Sequence, residues 1–238
     1  MQHVSLAIPN SHLAPAILPD APDRSPLAVR IALAIHRNTW VALDMTTAFL
    51  HATDQSERLQ WVWPPEDAED EAFDEITRLS CGSREGAAAM LAHLEWYLEA
   101  HPSHPKQPVL SPAEATLVRV RMADMRLLLG HAAPTSPAPI LSGIEVHRAA
   151  WLAFVAVPGR DVIGREAWRA LDVASDAAAD AVLEMPCGDK QGAAALVAHT
   201  RWYAEELAKA DDSLTDGLGY ALRPLQARQV DLSLLAIT

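Results

Sequence analysis

The sequence predicts an all-α fold built from two copies of one four-helix unit. A 17-residue stretch occurs twice: CGSREGAAAMLAHLEWY over Cys81–Tyr97 and CGDKQGAAALVAHTRWY over Cys187–Tyr203, with ten positions identical at an offset of 106. A second pair of words, HRNTW from His36 and HRAAW from His147, recurs at an offset of 111. Half of the residues are hydrophobic, only 5% are aromatic and 10 of 238 are glycine, which biases the chain toward helix. Self-similarity at a fixed offset marks a repeated structural unit, and two units of about 100 residues are each long enough to bury a core.

Residues 1–24 are broken by Pro9, Pro15 and Pro19 and form a Pro-rich N-terminal arm. The first repeat covers 25–130, a linker 131–140, and the second repeat 141–238. Helix A is expected from Ser25 to Leu50, with Ser25 and Pro26 as N-cap and first helical residue. Val29, Ala32, Leu33, His36, Trp40 and Leu43 fall on one face. Its counterpart carries Gly143, Ile144, His147, Trp151 and Phe154. Helix B runs over Glu66–Leu79, started by Pro64 and Pro65, with a core stripe of Ala72, Phe73, Ile76 and Leu79. Its counterpart, Glu166–Met185, offers Ala178, Ala179, Val182 and Met185. Helix C begins at the repeated stretch, capped by Ser83 and Asp189, and runs to about Ala100 and Ala210. Helix D covers Pro112–Leu129, echoed by Leu222–Ile237, with Arg121 and Asp124 aligned to Arg228 and Asp231 at an offset of 107. The halves are expected to relate by a pseudo-twofold axis, as in a covalently joined homodimer.

Composition excludes several classes. A net charge of −12 argues against general binding to nucleic acid or anionic membrane, which rests on Lys and Arg. No apolar run reaches the length needed to span a bilayer, and the N-terminus lacks a basic region of the signal-peptide type. Two cysteines do not make a disulfide framework in a chain this long. A soluble cytoplasmic protein is the expectation.

The four repeated histidines carry the sharpest chemical signal. His36, His93, His147 and His199 each sit in the middle of an apolar stripe, so each half is expected to bury two histidines on two helices beside tryptophans. One reading makes them core residues that spend their ring nitrogens on neighbours. The other makes His36 with His93, and His147 with His199, ligand pairs for a haem or a transition metal. Two ligands do not make a tight site, and Asp70, Asp74, Asp176 and Asp180, the carboxylates considered, fall on the solvated side of helix B. Cys81 and Cys187 precede helix N-termini, where the dipole favours a thiolate, so a reactive thiol is an option beside that of a small buried residue. Trp61 and Trp63 in a Pro-ended loop are candidates for partner contact if exposed. Gly159–Gly164 resembles a phosphate loop but lacks the required Lys and Ser/Thr, and no metalloprotease, dinucleotide or hydrolase motif is present.

The words His147–Trp151, Pro186-Cys187 and Gly192-Ala193-Ala194-Ala195 resemble a group of small Ala-rich helical proteins of alphaproteobacteria, with an HRxxW helix, an acidic helix ending at Pro-Cys, an Ala-rich helix and a Leu-rich closing helix. The resemblance covers each half separately. The first half departs from it with Ser80 in place of the proline and with its Trp-Pro loop. No activity is attached to the group, so the resemblance implies a fold and no chemistry. The functional expectation is a non-catalytic structural or interaction protein, a regulatory or assembly partner acting on another protein or by self-association, without nucleic acid or membrane. A haem- or metal-binding sensor is the alternative.

Overall fold

The computed structural model describes residues 26–53, 63–100, 111–131, 135–157, 160–209 and 222–236. Every regular element among them is helical. The order is α1 (Pro26–Ala52), α2 (Trp63–Arg78), α3 (Arg84–Ala100), α4 (Pro112–Leu129), α5 (Ala138–Val155), the short α6 (Arg160–Ile163), α7 (Arg165–Leu183), α8 (Lys190–Leu207) and α9 (Leu222–Ser233), closed by a 3-10 turn over Leu234–Ala236. The prolines and caps place these boundaries. Ser111 and Glu114 form a reciprocal capping box on α4, and Gly130 ends it in the left-handed conformation at φ 77°. Asp189 caps α8 by accepting from the Gly192 amide, and Ser83 accepts from Gly86 in the same way. Two expected ends fall short: α8 stops at Leu207, and the last helix tightens into the 3-10 turn. No described helix is long and apolar enough to cross a membrane.

α1 packs on α2 and α3, and α3 on α4. α5 packs on α7 and α8, and α8 on α9. Two apolar clusters result. One holds Val29, Leu33, Phe73, Ile76, Met90, Leu94 and Tyr97; the other holds Ile144, Trp151, Phe154, Val182, Leu196, Tyr203 and Leu225. The expected stripe of α2 is buried throughout, whereas Met185 beyond α7, and Ala32, Trp40 and Leu43 on α1, are half-buried. The glycines of the repeated stretch answer to geometry. Gly82 and Gly188 have φ of 63° and 77°, and a Cβ on Gly86 or Gly192 would overlap the carbonyl of Cys81 or Cys187.

α4 and α9 meet each other, and α9 also reaches α2. At this seam Arg121 Nη2 lies 2.7 Å from Asp231 Oδ2, and Arg228 Nε lies 2.6 Å from Asp124 Oδ2. All four residues are buried. Each arginine also anchors a loop of its own half. Arg121 donates to the Leu79 carbonyl, and Arg228 to the carbonyls of Val182, Leu183 and Met185. Asp231 in turn accepts from the Cys81 amide at 2.6 Å and from the Ser80 hydroxyl. Burial acts to lower the pKa of both guanidiniums, but the facing aspartates outweigh it and hold them above the ordinary value.

Candidate functional site

The four histidines come together in two pairs. His36 on α1 and His93 on α3 approach Nδ1 to Nε2 at 2.7 Å, and His147 on α5 and His199 on α8 repeat this at 2.8 Å. Both pairs are buried. The aromatic surroundings repeat as well. The His36 ring lies 4.6 Å from Tyr97, and the His147 ring 4.6 Å from Tyr203. Arg37 lies over Trp96 at 4.3 Å and Arg148 over Trp202 at 4.9 Å. The HRxxW and HxxWY words are thus the two sides of one interhelical contact: histidine meets histidine, and arginine covers the next tryptophan.

The pairs differ at their outer ends. Glu69 on α2 accepts from His36 Nε2 at 3.1 Å and from the Tyr97 hydroxyl at 2.8 Å, both on Oε1. A carboxylate only accepts, so His36 carries its proton on Nε2 and takes the His93 Nε2–H on Nδ1. In the second half Arg148 Nε donates to His199 Nδ1 at 3.4 Å. Arginine only donates, so His199 Nε2–H points at His147 Nδ1. His147 then keeps a proton on Nε2, and that nitrogen, like the buried Trp151 Nε1, has no hydrogen-bond partner among the described residues. The residue at the Glu69 register is Ser175.

Burial disfavours imidazolium. It holds His93 down to about 4, helped by His36 and Arg37; His147 at about 4; and His199 at about 3, helped by His147 and Arg148. Burial and Glu69 push the Tyr97 hydroxyl far up, and burial with Asp176 and Asp180 takes Tyr203 to about 12. His93, His147 and His199 are therefore neutral near pH 7.

Two imidazole nitrogens bound to one zinc at about 2.0–2.1 Å each stand roughly 3.3 Å apart in tetrahedral geometry. The 2.7 and 2.8 Å separations here are hydrogen bonds, with one nitrogen donating into the lone pair a metal would need. Among the described residues no group of three or more His, Cys, Asp or Glu side chains is placed to hold a metal ion.

Cys81 and Cys187 are buried and free. The Cys81 thiol faces Met125 Sδ at 3.2 Å, and Cys187 Sγ lies 3.7 Å from Arg228 Nη2. Burial, helped by Asp231 at Cys81 and by Asp124 at Cys187, pushes both thiols well above their ordinary range, outweighing Arg121 and Arg228. Asp70, Asp176 and Asp180 are exposed and Asp74 is half-buried. Burial and neighbouring acids raise Asp70 and Asp176, and burial alone raises Asp180. Trp61 lies outside the described residues, as does the side chain of Trp63, whose backbone opens α2.

Two features escape the sequence reading. The carboxylate that joins a histidine pair is Glu69. It lies three residues before Ala72 and four before Phe73, on the core stripe of α2, and its place in a run of seven acids hid it. The other is the outer side of α1. Leu27, Ile31, Ile35, Met45 and Phe49 are 65%, 51%, 52%, 67% and 53% exposed. The first three border an apolar groove with Ala72, Leu79 and Glu75 of the α2 segment. α1 is therefore apolar on the side facing the core and on the side facing away.

No protein family, curated protein or solved structure matches this chain.

Proposed function

We propose that the protein is a non-catalytic interaction module of the cytoplasm, built from two copies of one helical unit related to the Ala-rich group named above. The observation that carries this is the exposed apolar side of α1. Isolated exposed apolar residues are ordinary on a protein surface, but a continuous row along one helix is the mark of a contact surface. The histidine pairs serve this reading as interior fastenings. In each pair the two rings bond one another, and a further nitrogen meets Glu69 in the first pair and Arg148 in the second; burial favours the neutral form of His93, His147 and His199. The thiols are buried, and Asp231 beside Cys81 and Asp124 beside Cys187 disfavour their thiolates. The matched Arg–Asp exchange at the seam supports descent from a unit that once met its own copy across a twofold axis.

Photo-crosslinking in the producing cell tests the reading. A crosslinker at Met45 is expected to yield discrete protein adducts, whereas one at Arg201, exposed on α8, yields none. Adducts from neither position, or equally from both, would remove the assignment.

A further inference from the structure

We propose that α1 pairs with α1 of a second copy of this chain, forming a two-helix coiled coil on a twofold axis. The proposal rests on the interaction reading and names its partner. Its ground is the spacing of the exposed residues. Ile31, Ile35, Asn38, Ala42, Met45 and Phe49 follow one another at intervals of four, three, four, three and four, and every one is exposed. That is the seam of a coiled coil, in which any two successive intervals sum to seven. The opposite side of the helix, with Val29, Leu33 and His36, is already buried against α2 and α3. A helix apolar on both sides is one that is covered on both sides.

The flanks say what covers it. Positions beside a seam set partner choice through their charges. Here one flank is Leu27, Ala34, Val41 and Ala48, and the other Ala32, Thr39 and Thr46. Neither carries a charge, so the flanks of α1 neither repel an identical helix nor select a different one. The charges of α1 lie elsewhere: Arg30 pairs with Glu85, Arg37 covers Trp96, and Asp44 is half-buried away from the seam positions. Asn38, alone among the seam residues, is polar, the kind of residue that fixes register in a two-stranded contact. Glu75 of α2 lines the groove beside Ile31 and Ile35, at one edge of this seam.

Area and closure agree. α1 has 27 residues and is about 40 Å long. Its large exposed side chains offer on the order of 100 Å² each, so two facing copies cover roughly 1,200 Å², the low end of stable interfaces. At the register of HRNTW and HRAAW, α5 has Val146 as its one large seam residue, with Ser142, Ala149 and Ala153 at the neighbouring seam positions and Leu152 exposed on a flank. One seam per chain closes as a dimer and does not propagate.

Sedimentation velocity on the full chain, over about a hundredfold range of concentration, is the test. The expected result is a species of twice 25.8 kDa that dissociates on dilution. Ile35→Glu and Met45→Glu each weaken it by about a hundredfold or more, with helical circular dichroism unchanged because both sites are exposed. Asn38→Cys, at the middle of the seam, is expected to give a disulfide-linked dimer on mild oxidation, against two native thiols that are buried. A wild-type monomer throughout overturns the pairing, as does a dimer indifferent to both glutamates together with an Asn38→Cys that stays monomeric. A purified monomer whose Met45 crosslinks only to other proteins in the cell refutes self-pairing while leaving the interaction reading standing; an absence of any Met45 adduct removes both.

Discussion

Asp231→Asn isolates the seam between the halves. The substitution keeps the shape and an oxygen to accept the Cys81 amide, but removes the charge that faces Arg121 at 2.7 Å. Arg121 is buried, and its Nε and Nη1 have no other hydrogen-bond partner among the described residues. Its remaining contact is the Leu79 carbonyl. Breaking one side of a buried pair leaves an uncompensated charge, which costs about 3–5 kcal/mol. Set against a total stability of about 5–15 kcal/mol, this is a large fraction, and at about 2–4 °C per kcal/mol it lowers Tm by roughly 6–20 °C. Urea denaturation of Asp231→Asn, Arg121→Met and the double variant gives the coupling directly. The double variant is expected to lose about 2 kcal/mol less than the sum of the singles, because the orphaned charge is gone. Asp74→Asn is the control: Asp74 pairs with Arg78 at 2.7 Å within α2 with both side chains partly exposed, and its loss costs about 0.3–0.5 kcal/mol. An Asp231→Asn cost near that of the control, or additive singles, would refute a buried ion pair at the seam.

Acid should destabilise the protein through its histidines. His93, His147 and His199 sit at about 4, 4 and 3 when folded, below the 6.5 of an unfolded chain, so unfolding takes up protons. Their contribution is whole above pH 6.5 and drains as pH falls toward 4; urea midpoints that stay flat between pH 7 and 5 would contradict this. Glu69→Leu removes the carboxylate that accepts from His36 Nε2 and from the Tyr97 hydroxyl, at about 1–3 kcal/mol for a lost buried hydrogen bond, whereas Glu69→Gln retains an acceptor and costs less; equal denaturation curves for the two would dismiss the network. Alkylation of Cys81 and Cys187 near neutral pH should proceed only on unfolding, and prompt labelling of the folded protein would expose a reactive thiol.

Much of the fold is written locally. Prolines, caps and the 3.6 period mark the helices closely enough that α4 begins and ends at Pro112 and Leu129. The four histidines are legible as buried because they stand mid-stripe. What they face is not legible, since whether a buried nitrogen meets a carbonyl, a metal or another imidazole depends on how the helices cross. Glu69 was hidden by composition: six neighbouring acids made a solvated face the natural reading of the whole run, although its own angle on the helix points inward. The seam is a third kind of case. The alignment of Arg121 and Asp124 with Arg228 and Asp231 is plain in the sequence, yet pairing across the halves, not within them, is settled by the docking of α4 on α9. The outer row of α1 is hard to read from the sequence because a surface helix ordinarily has one apolar side, and the inner stripe of Val29, Leu33 and His36 already supplies it.

The exchange of aspartates at that seam makes each half the guarantor of the other's folding. The turn that leads into α3 is held by Arg121 from its own half and by Asp231 from the far end of the chain. The turn that leads into α8 hangs on Arg228, whose counter-charge is Asp124 of the first half. Neither core can be completed in isolation, so the two must be lost in a single cooperative transition. A fragment cut within residues 131–140 would lose the aspartate that faces its arginine across the seam.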